Sequence, residues 1–373
     1  MVELFQFELG QVCSRLSSGK GIPAKEVHEI GAYPVYGGNG LRGYTDQSNF
    51  EGECAIIGRQ GAFCGNVRYF SGAAYMTEHA VVLCANEKND TRYLAYLLSI
   101  MNLGRLSGQS AQPGLSVKSL AKQIVSLPSL SEQKVVADTL SALDEKIENN
   151  SKINHHLEQM AQAVFRHWFV VDGEAEGWNL VPLPEIVEVN PSRTLKRGEV
   201  APYLDMANMP TKGHRGIDWV DRAFGSGTKF TNGDTLMARI TPCLENGKTA
   251  FVDFLDDNQV GWGSTEYIVF RPKPPLPPEY GYLLARGNEL RNHAIVNMTG
   301  TSGRQRTPAS CFDNFLVSVP PDKLAKNFGE FVRPLFATIK ANDTESRSLA
   351  NMRDSLLPKL MSGELSVLKL DAK

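Results

Sequence analysis

Between Ser131 and Phe169 the chain reads SEQKVVADTLSALDEKIENNSKINHHLEQMAQAVFRHWF, and its apolar positions return at alternating steps of four and three. Val136, Leu140, Leu143, Ile147, Leu157, Ala161, Val164 and Trp168 form the seam of a long helix that packs lengthwise on another, with Asn150 and Asn154 in the two remaining seam slots. A partner lies in the same chain. A shift of 192 positions lays this stretch without a gap on Lys323 to Met361, so that Leu143 meets Leu335, Ile147 meets Ile339, Asn150 meets Asn342, Leu157 meets Leu349 and Met160 meets Met352. The pairing of the two helices is assigned to Leu140, Leu143, Ile147 and Leu157 of the first copy and to Leu335, Ile339, Leu349 and Leu356 of the second. Pro334 falls inside the second copy, where a proline removes a backbone bond, so this helix is expected to begin near Arg333 or to bend there.

Each helix follows a region of short apolar runs and Gly-rich punctuation. In the first region, strands are predicted at Cys54 to Gly58 and His79 to Ala85, an irregular loop at Tyr36 to Gly40, and an amphipathic helix over Thr91 to Leu103. A last strand, Gln123 to Ser129, leads into the long helix. The second region repeats that order: Gly233 to Ile240 corresponds to Gly52 to Arg59, Ser264 to Phe270 to Met76 to Leu83, and Phe315 to Pro321 to QIVSLPS. This pairing places Glu78 and Glu266 at equivalent positions. Gly/Ser/Thr/Gln loops, Leu106 to Gly114 and Met298 to Pro308, precede each final strand, and RPKPPLPP, Arg271 to Pro278, reads as a stiff connector to a helix beginning near Glu279.

The expected fold class is α/β (α+β): a tandem pseudo-twofold repeat of two α/β units separated by two long antiparallel coiled-coil helices. The boundaries expected are 1–128 for the first unit, 129–171 for the first helix, 172–320 for the second unit and 321–373 for the second helix and tail.

With 373 residues, 42% of them hydrophobic and 21% charged, the chain has room for two or three domains and no disordered or fibrous character. No signal-like leader or membrane-length apolar run is evident, which predicts a cytoplasmic protein with no membrane partner. Six cysteines without a CxxC pair suggest free thiols rather than a zinc site or disulfide framework. The net charge of -2 argues neither for nor against a nucleic-acid partner, because phosphate binding depends on where the cations cluster. Arg193 to Lys248 holds nine basic against six acidic residues, whereas the first long helix holds four against six.

Nucleotide, hydrolase and metalloprotease signatures are absent from the sequence, and NPSR at Asn190 departs from the Asn/Asp-Pro-Pro-aromatic signature of amino-methyltransferases. No catalytic residue and no metal site is assigned. The loops instead combine forked donors with amides. In the first unit these are Arg42, Tyr44, Arg59, Gln60, Asn66, Arg68 and Gln109; in the second, Lys212, His214, Arg215, Lys229, Arg239, Lys248, Arg304, Gln305 and Arg306. Arg reads guanine bidentately and Asn or Gln reads adenine, so their recurrence in both units points to DNA. A symmetric protein-protein adaptor is the competing reading, and it predicts binding nearly indifferent to salt.

The patterns SEQKVVADTLSALDEKIENN, LEQMAQAVFRHWF and RDSLLPKLMSGEL, with the strands TEHAVVL and TEYIVF, resemble the specificity subunit of Type I restriction-modification systems over nearly the full length. The resemblance implies a non-catalytic subunit with two target-recognition domains, each reading one half of a bipartite double-stranded DNA site, and helices that set the spacing between the halves. It further implies docking of two methyltransferase (modification) subunits and, in the full complex, two restriction/translocase subunits. No cofactor is expected on this chain; S-adenosylmethionine and ATP belong to those partner subunits. A helix of about 39 residues rising about 1.5 Å each spans on the order of 55 to 60 Å, enough to separate two readers by one DNA turn of about 34 Å.

Overall fold

The computed structural model describes residues 2–107, 114–170, 178–301 and 303–367. Two compact units divide the chain: Met1–Ile147 with Arg347–Lys373, and Glu148–Ser346. The division cuts both long helices, so each unit owns half of each.

In the first unit the strands are β1 (Phe5–Glu8), β2 (Cys13–Ser18), β3 (Tyr33–Gly37), β4 (Gly40–Thr45), β5 (Phe50–Gly58), β6 (Val67–Met76), β7 (Ala80–Ala85) and β8 (Ile124–Leu127). Six of them form one sheet in the order β2-β7-β5-β6-β3-β4, and β1 pairs with β8 in a separate ribbon. The apolar runs of β5 and β7 are buried on both faces. Ala55, Ile57, Val81 and Leu83 face one cluster, with Tyr93, Leu94 and Leu97 of helix α1 (Thr91–Ser99), while Cys54, Ile56, Ala80 and Val82 pack into another with Phe50 and Met76. Helix α1 is capped by Asp90, whose side chain accepts from the Tyr93 N–H at 2.8 Å. It stops four residues short of the predicted end because Asn102 turns left-handed at φ 47°, and Leu103–Leu106 continues as a 3-10 turn. YGGNG is not an irregular loop but the tight connection of the β3–β4 hairpin, where Gly40 takes φ +99°. A short helix unforeseen from sequence, α2 (Val117–Ala121), is capped by Ser116.

The long helix α3 runs Leu130–Phe169 and its repeat, α6, Asp322–Met361. Both are 40 residues long and their ends lie 192 positions apart, the shift read from sequence. At the start of α3 the Ser129 Oγ accepts from the Glu132 N–H at 3.3 Å; beyond the end of α6, Gly363 takes φ +71°. Pro334 neither begins nor interrupts α6. It lies on an exposed face, so the Glu330 carbonyl left without its N–H can turn to water rather than stay buried and unpaired.

Strands β9 (Leu180–Pro182), β10 (Val187–Val189), β11 (Val200–Leu204), β12 (Val220–Ala223), β13 (Thr228–Phe230), β14 (Thr235–Ala238), β15 (Thr249–Phe251), β16 (Gly261–Gly263), β17 (Tyr267–Pro272) and β18 (Leu316–Ser318) belong to the second unit. They make two four-stranded sheets, β10-β17-β14-β15 and β12-β11-β16-β13, and a β9–β18 ribbon. The proline connector turns the chain from β17 into α4 (Pro278–Arg286), followed by α5 (Asn288–Val296). NPSR is a turn: Asn190 at φ 54° bonds Val269 through both its backbone N–H and its Oδ1.

Within each unit the helix halves join the core. In the first, Val136, Ala137 and Leu140 share a cluster with Leu357, Leu360 and Met361, and Arg353 donates to Asp144 at 2.6 Å. In the second, Ala161, Phe165 and Phe169 pack with Ala325, Phe328 and Val332, and also with Tyr280 of α4. Of the pairing residues read from sequence, Leu140 and Ile339 are buried, whereas Leu143, Ile147, Leu157, Leu335, Leu349 and Leu356 are half-buried. Near its C-terminus the deepest residues are Phe165 and Phe169 rather than Val164 and Trp168, because α4 widens the buried face beyond a two-helix seam. Asn150, also buried, donates from Nδ2 to the Asn342 carbonyl, the Glu345 carboxylate and the Ser346 hydroxyl, and Asn342 donates to Asn154 Oδ1 at 2.8 Å. These bonds fix one level of the pair.

All six cysteines are free thiols, and burial pushes Cys13 and Cys54 up to about 12. No helix among the described residues is long and apolar enough to cross a membrane. Glu279, at the start of α4, is buried with Oε2 unpartnered, and burial raises its carboxyl above the ordinary range despite Arg333 nearby. A raised folded pKa means that ionisation opposes folding; the penalty is full above that pKa and is relieved as pH falls through it. Glu279→Gln should therefore raise stability at pH 7 and leave it unchanged at pH 3, measured by urea unfolding at both.

Candidate nucleic-acid interface

In the first unit, three segments carrying predicted residues converge on the β3–β4 tip. The Arg59 N–H donates to the His79 carbonyl at 3.0 Å, and the Arg59 carbonyl accepts from Leu115 at 2.8 Å, which ties the end of β5 to the β6–β7 turn and to the chain after Gly114. Gly38 lies against the same place; a Cβ on it would come within 3.0 Å of the His79 carbonyl and 3.6 Å of that of Gln60. The Arg42 stem crosses Gly37, and the Arg68 guanidinium sits over Gly40, where a Cβ would be 3.0 Å from Cζ. Arg68 also opposes the upward shift that burial, and then Tyr44, imposes on the Tyr36 phenol.

Arg42, Gln60 and Arg68 are exposed, Arg59 reaches the Ser18 hydroxyl at 3.3 Å, and Tyr44 is half-buried, its backbone paired with His28. Asn66, exposed too, lines a recess of about 370 Å³ with Arg68, Ser99 and Asn102. Gln109 lies outside the described residues. Sequence reasoning passed over Ser18 and the Glu78–His79 contact at 3.2 Å, which no local motif marks.

The second unit builds a comparable cluster around Glu266. Arg306 clamps this carboxylate with Nε at 2.8 and 3.0 Å and Nη2 at 2.8 Å, and these bonds raise the Arg306 pKa. Arg239 approaches Glu266 at 4.0 Å; its N–H donates to the Glu266 carbonyl and its carbonyl accepts from Thr307. The Gln305 carbonyl accepts from the Thr241 N–H and hydroxyl, and Arg304 is exposed beside it. The ladder corrects the sequence equivalence of the two glutamates. Gly58 pairs with Ala80 and Ala238 with Tyr267, so that Arg239 matches Arg59 and Glu266 matches His79, one residue off Glu78. From the glycine to the arginine, β5 is one residue longer than β14, which an ungapped comparison cannot detect.

Other predicted residues of this unit lie elsewhere, and three are turned to internal work. His214 is buried between Asp253 at 3.2 Å and Asp343 at 3.6 Å, against the rings of Tyr282 and Phe336. Arg215 pairs with Asp253 at 3.3 Å and stacks near Trp219 and Phe254. Lys248 donates to the Met206 and Ala207 carbonyls. Turn composition does not reveal such inward orientation, and the expected DNA contact by these side chains is withdrawn. Lys212 is exposed, and Lys229 lies 4.8 Å from the Phe224 ring centre.

Arg286, absent from the sequence-based set, positions the Lys212 loop. Its guanidinium donates to the carbonyls of Thr211, Gly213, Gly247 and Thr249 and lies beside Tyr282 and Glu158. Arg286→Met should release residues 211–215, seen as amide exchange at least about tenfold faster there by mass spectrometry, equivalent to about 1.4 kcal/mol of local opening. Unchanged exchange in this segment would contradict that role.

Residues 1–159 match the family described as Type I restriction modification DNA specificity domain. The Type I restriction enzyme EcoprrI specificity subunit of Escherichia coli is 39% identical over 142 residues, covering 38% of this chain and 34% of that protein. The Type I restriction enzyme MjaIX specificity subunit of Methanocaldococcus jannaschii is 24% identical over 312 residues, 75% of this chain and 70% of that one. The chain thus spans about a third of the length of the first relative. The same fold occurs in the crystal structure of the Type-I restriction-modification system S subunit from M. genitalium, with a TM-score of 0.65, 18% identity and 96% coverage of both chains.

Proposed function

Because this chain belongs to the family of type I restriction-modification specificity subunits, we propose that it is the non-catalytic DNA-reading subunit of such a system. Each unit reads one half of a bipartite duplex site, and the helices set the unread spacing and hold two methyltransferase subunits. The observation that carries this reading is the duplication. Two 40-residue helices, 192 positions apart, each follow a unit in which an arginine at the end of a central strand is bonded to a neighbouring turn. The helices repeat closely while the clusters differ, Glu266 standing where the first unit has His79. A shared scaffold with divergent faces suits one task performed on two different sequences.

S-adenosylmethionine, ATP and restriction/translocase subunits belong to the assembled complex in this proposal, and the location is the cytoplasm. Selection from a random duplex library, with the methyltransferase subunit present, should enrich two short blocks at fixed separation, bound more weakly as salt rises. A single contiguous motif, no enriched motif, or binding indifferent to salt would refute the reading; the last is the behaviour of a protein-protein adaptor.

A further inference from the structure

The turn that follows Arg59 presents an aromatic ring to solvent. Gly61–Phe63 forms a 3-10 turn between β5 and β6, and Phe63 is 44% exposed, while its neighbour Cys64 packs against the core of the first unit. The turn closes on itself. The Cys64 N–H donates to the Gly61 carbonyl at 3.0 Å, the Asn66 N–H to the Phe63 carbonyl at 3.1 Å, and the Cys64 Sγ to the Arg59 carbonyl at 3.3 Å. Its backbone abuts the β3–β4 tip, since a Cβ on Gly58 would collide with the Phe63 carbonyl and lie 2.7 Å from that of Gly38.

A lone exposed ring is ordinary on a protein surface. Phe63 differs in its setting. Arg59 and Gln60 precede it, Asn66 and Arg68 follow it, and Arg42 stands on the hairpin that its turn abuts, so the ring belongs to a group of forked donors and amides suited to purine edges. In the major groove thymine differs from the other bases by its 5-methyl group, which takes an apolar contact. The bonds that close the turn hold its backbone in place before any ligand arrives, which lowers the ordering cost of such a contact. The matching turn of the second unit, after Arg239, is built otherwise: Leu244 is buried, and the exposed side chains are Pro242, Glu245 and Asn246. One unit thus offers a ring at this place and the other does not, as suits two unlike half-sites.

We propose that Phe63 reads a thymine methyl group in the half-site of the first unit. This rests on the function proposed above and names one base of its target. The full-length chain, assembled with the methyltransferase subunit of the same system, is titrated with the duplex selected from the random library. Parallel titrations use copies in which each thymine of both half-sites is replaced in turn by deoxyuridine, which lacks only the methyl group. One replacement should weaken wild-type binding about three- to fivefold, the effect of one buried methyl group. Phe63→Ala should bind the thymine duplex at least that much more weakly, and should bind thymine and deoxyuridine equally at that position alone. Its base preferences elsewhere and its melting curve should not change, because the side chain is exposed. A variant that binds more weakly yet keeps every thymine preference overturns the assignment, since its ring would then contribute without reading the methyl group. A wild type indifferent to deoxyuridine at every position, or half-sites without thymine, overturns it too. Those results leave the specificity-subunit reading standing, because a bipartite site was selected. A library that yields no bipartite site overturns that reading and the assignment with it.

Discussion

Phe328→Ala should lower the unfolding free energy by about 3–5 kcal/mol, the usual cost of emptying an aromatic site in a packed core. Phe328 is fully buried, and its ring lies 4.9 Å from Phe169 edge to face, 5.8 Å from Trp168 and 6.1 Å from Phe165. These rings hold the C-terminal half of α3 to the N-terminal half of α6 and to Tyr280, so the void cannot be filled by the movement of one neighbour. Urea unfolding followed by tryptophan fluorescence is the measurement, since Trp168 and Trp178 belong to or border the cluster. A loss below about 1 kcal/mol would mean that the site collapses and that the aromatic group does not set the stability of the second unit.

Phe328 also shows where the sequence was readable. The 192-position repeat and the helical period gave both long helices to within a residue or two at most ends, because a 40-residue amphipathic pattern averages over local irregularity. The same period put Val164 and Trp168 on the seam, while Phe165 and Phe169 are more buried, since periodicity assumes a single partner and α4 is a second. Pro334 misled as a start signal: a local rule offered a helix start there, and exposure on the outer face lets α6, begun at Asp322, continue through it. In the candidate interface the convergence around Arg59 and Arg239 was partly legible, because Gly-rich turns mark places where backbones approach closely. Orientation was not. His214 and Arg215 stand in a turn as polar as any, and the carboxylates of Asp253 and Asp343 that pair with them inside are distant in sequence.

Arg306→Ala should weaken binding to the selected duplex by roughly tenfold or more and relax preference within one half-site only. Glu266 is the centre of this cluster. In the free protein its carboxylate is held by three guanidinium contacts from Arg306, with Arg239 at 4.0 Å, so the cluster presents forked donors and one acceptor in a fixed arrangement. Such a group can offer guanine two donors while the carboxylate accepts from cytosine. Removing Arg306 leaves Glu266 with a weaker counter-charge and turns a neutralised acceptor into one that repels phosphate. A contact to phosphate alone would behave differently: affinity would fall evenly across sequences and the salt slope would shrink by about one unit. Arg68→Ala is the control in the first unit, where the guanidinium lies over Gly40, and it should relax the opposite half-site. Arrays of duplexes varied one base pair at a time, titrated at two salt concentrations, separate these outcomes. If both variants lose affinity evenly with unchanged base preference, the arginines position DNA rather than read it, and the selectivity of each unit must be sought elsewhere on its surface.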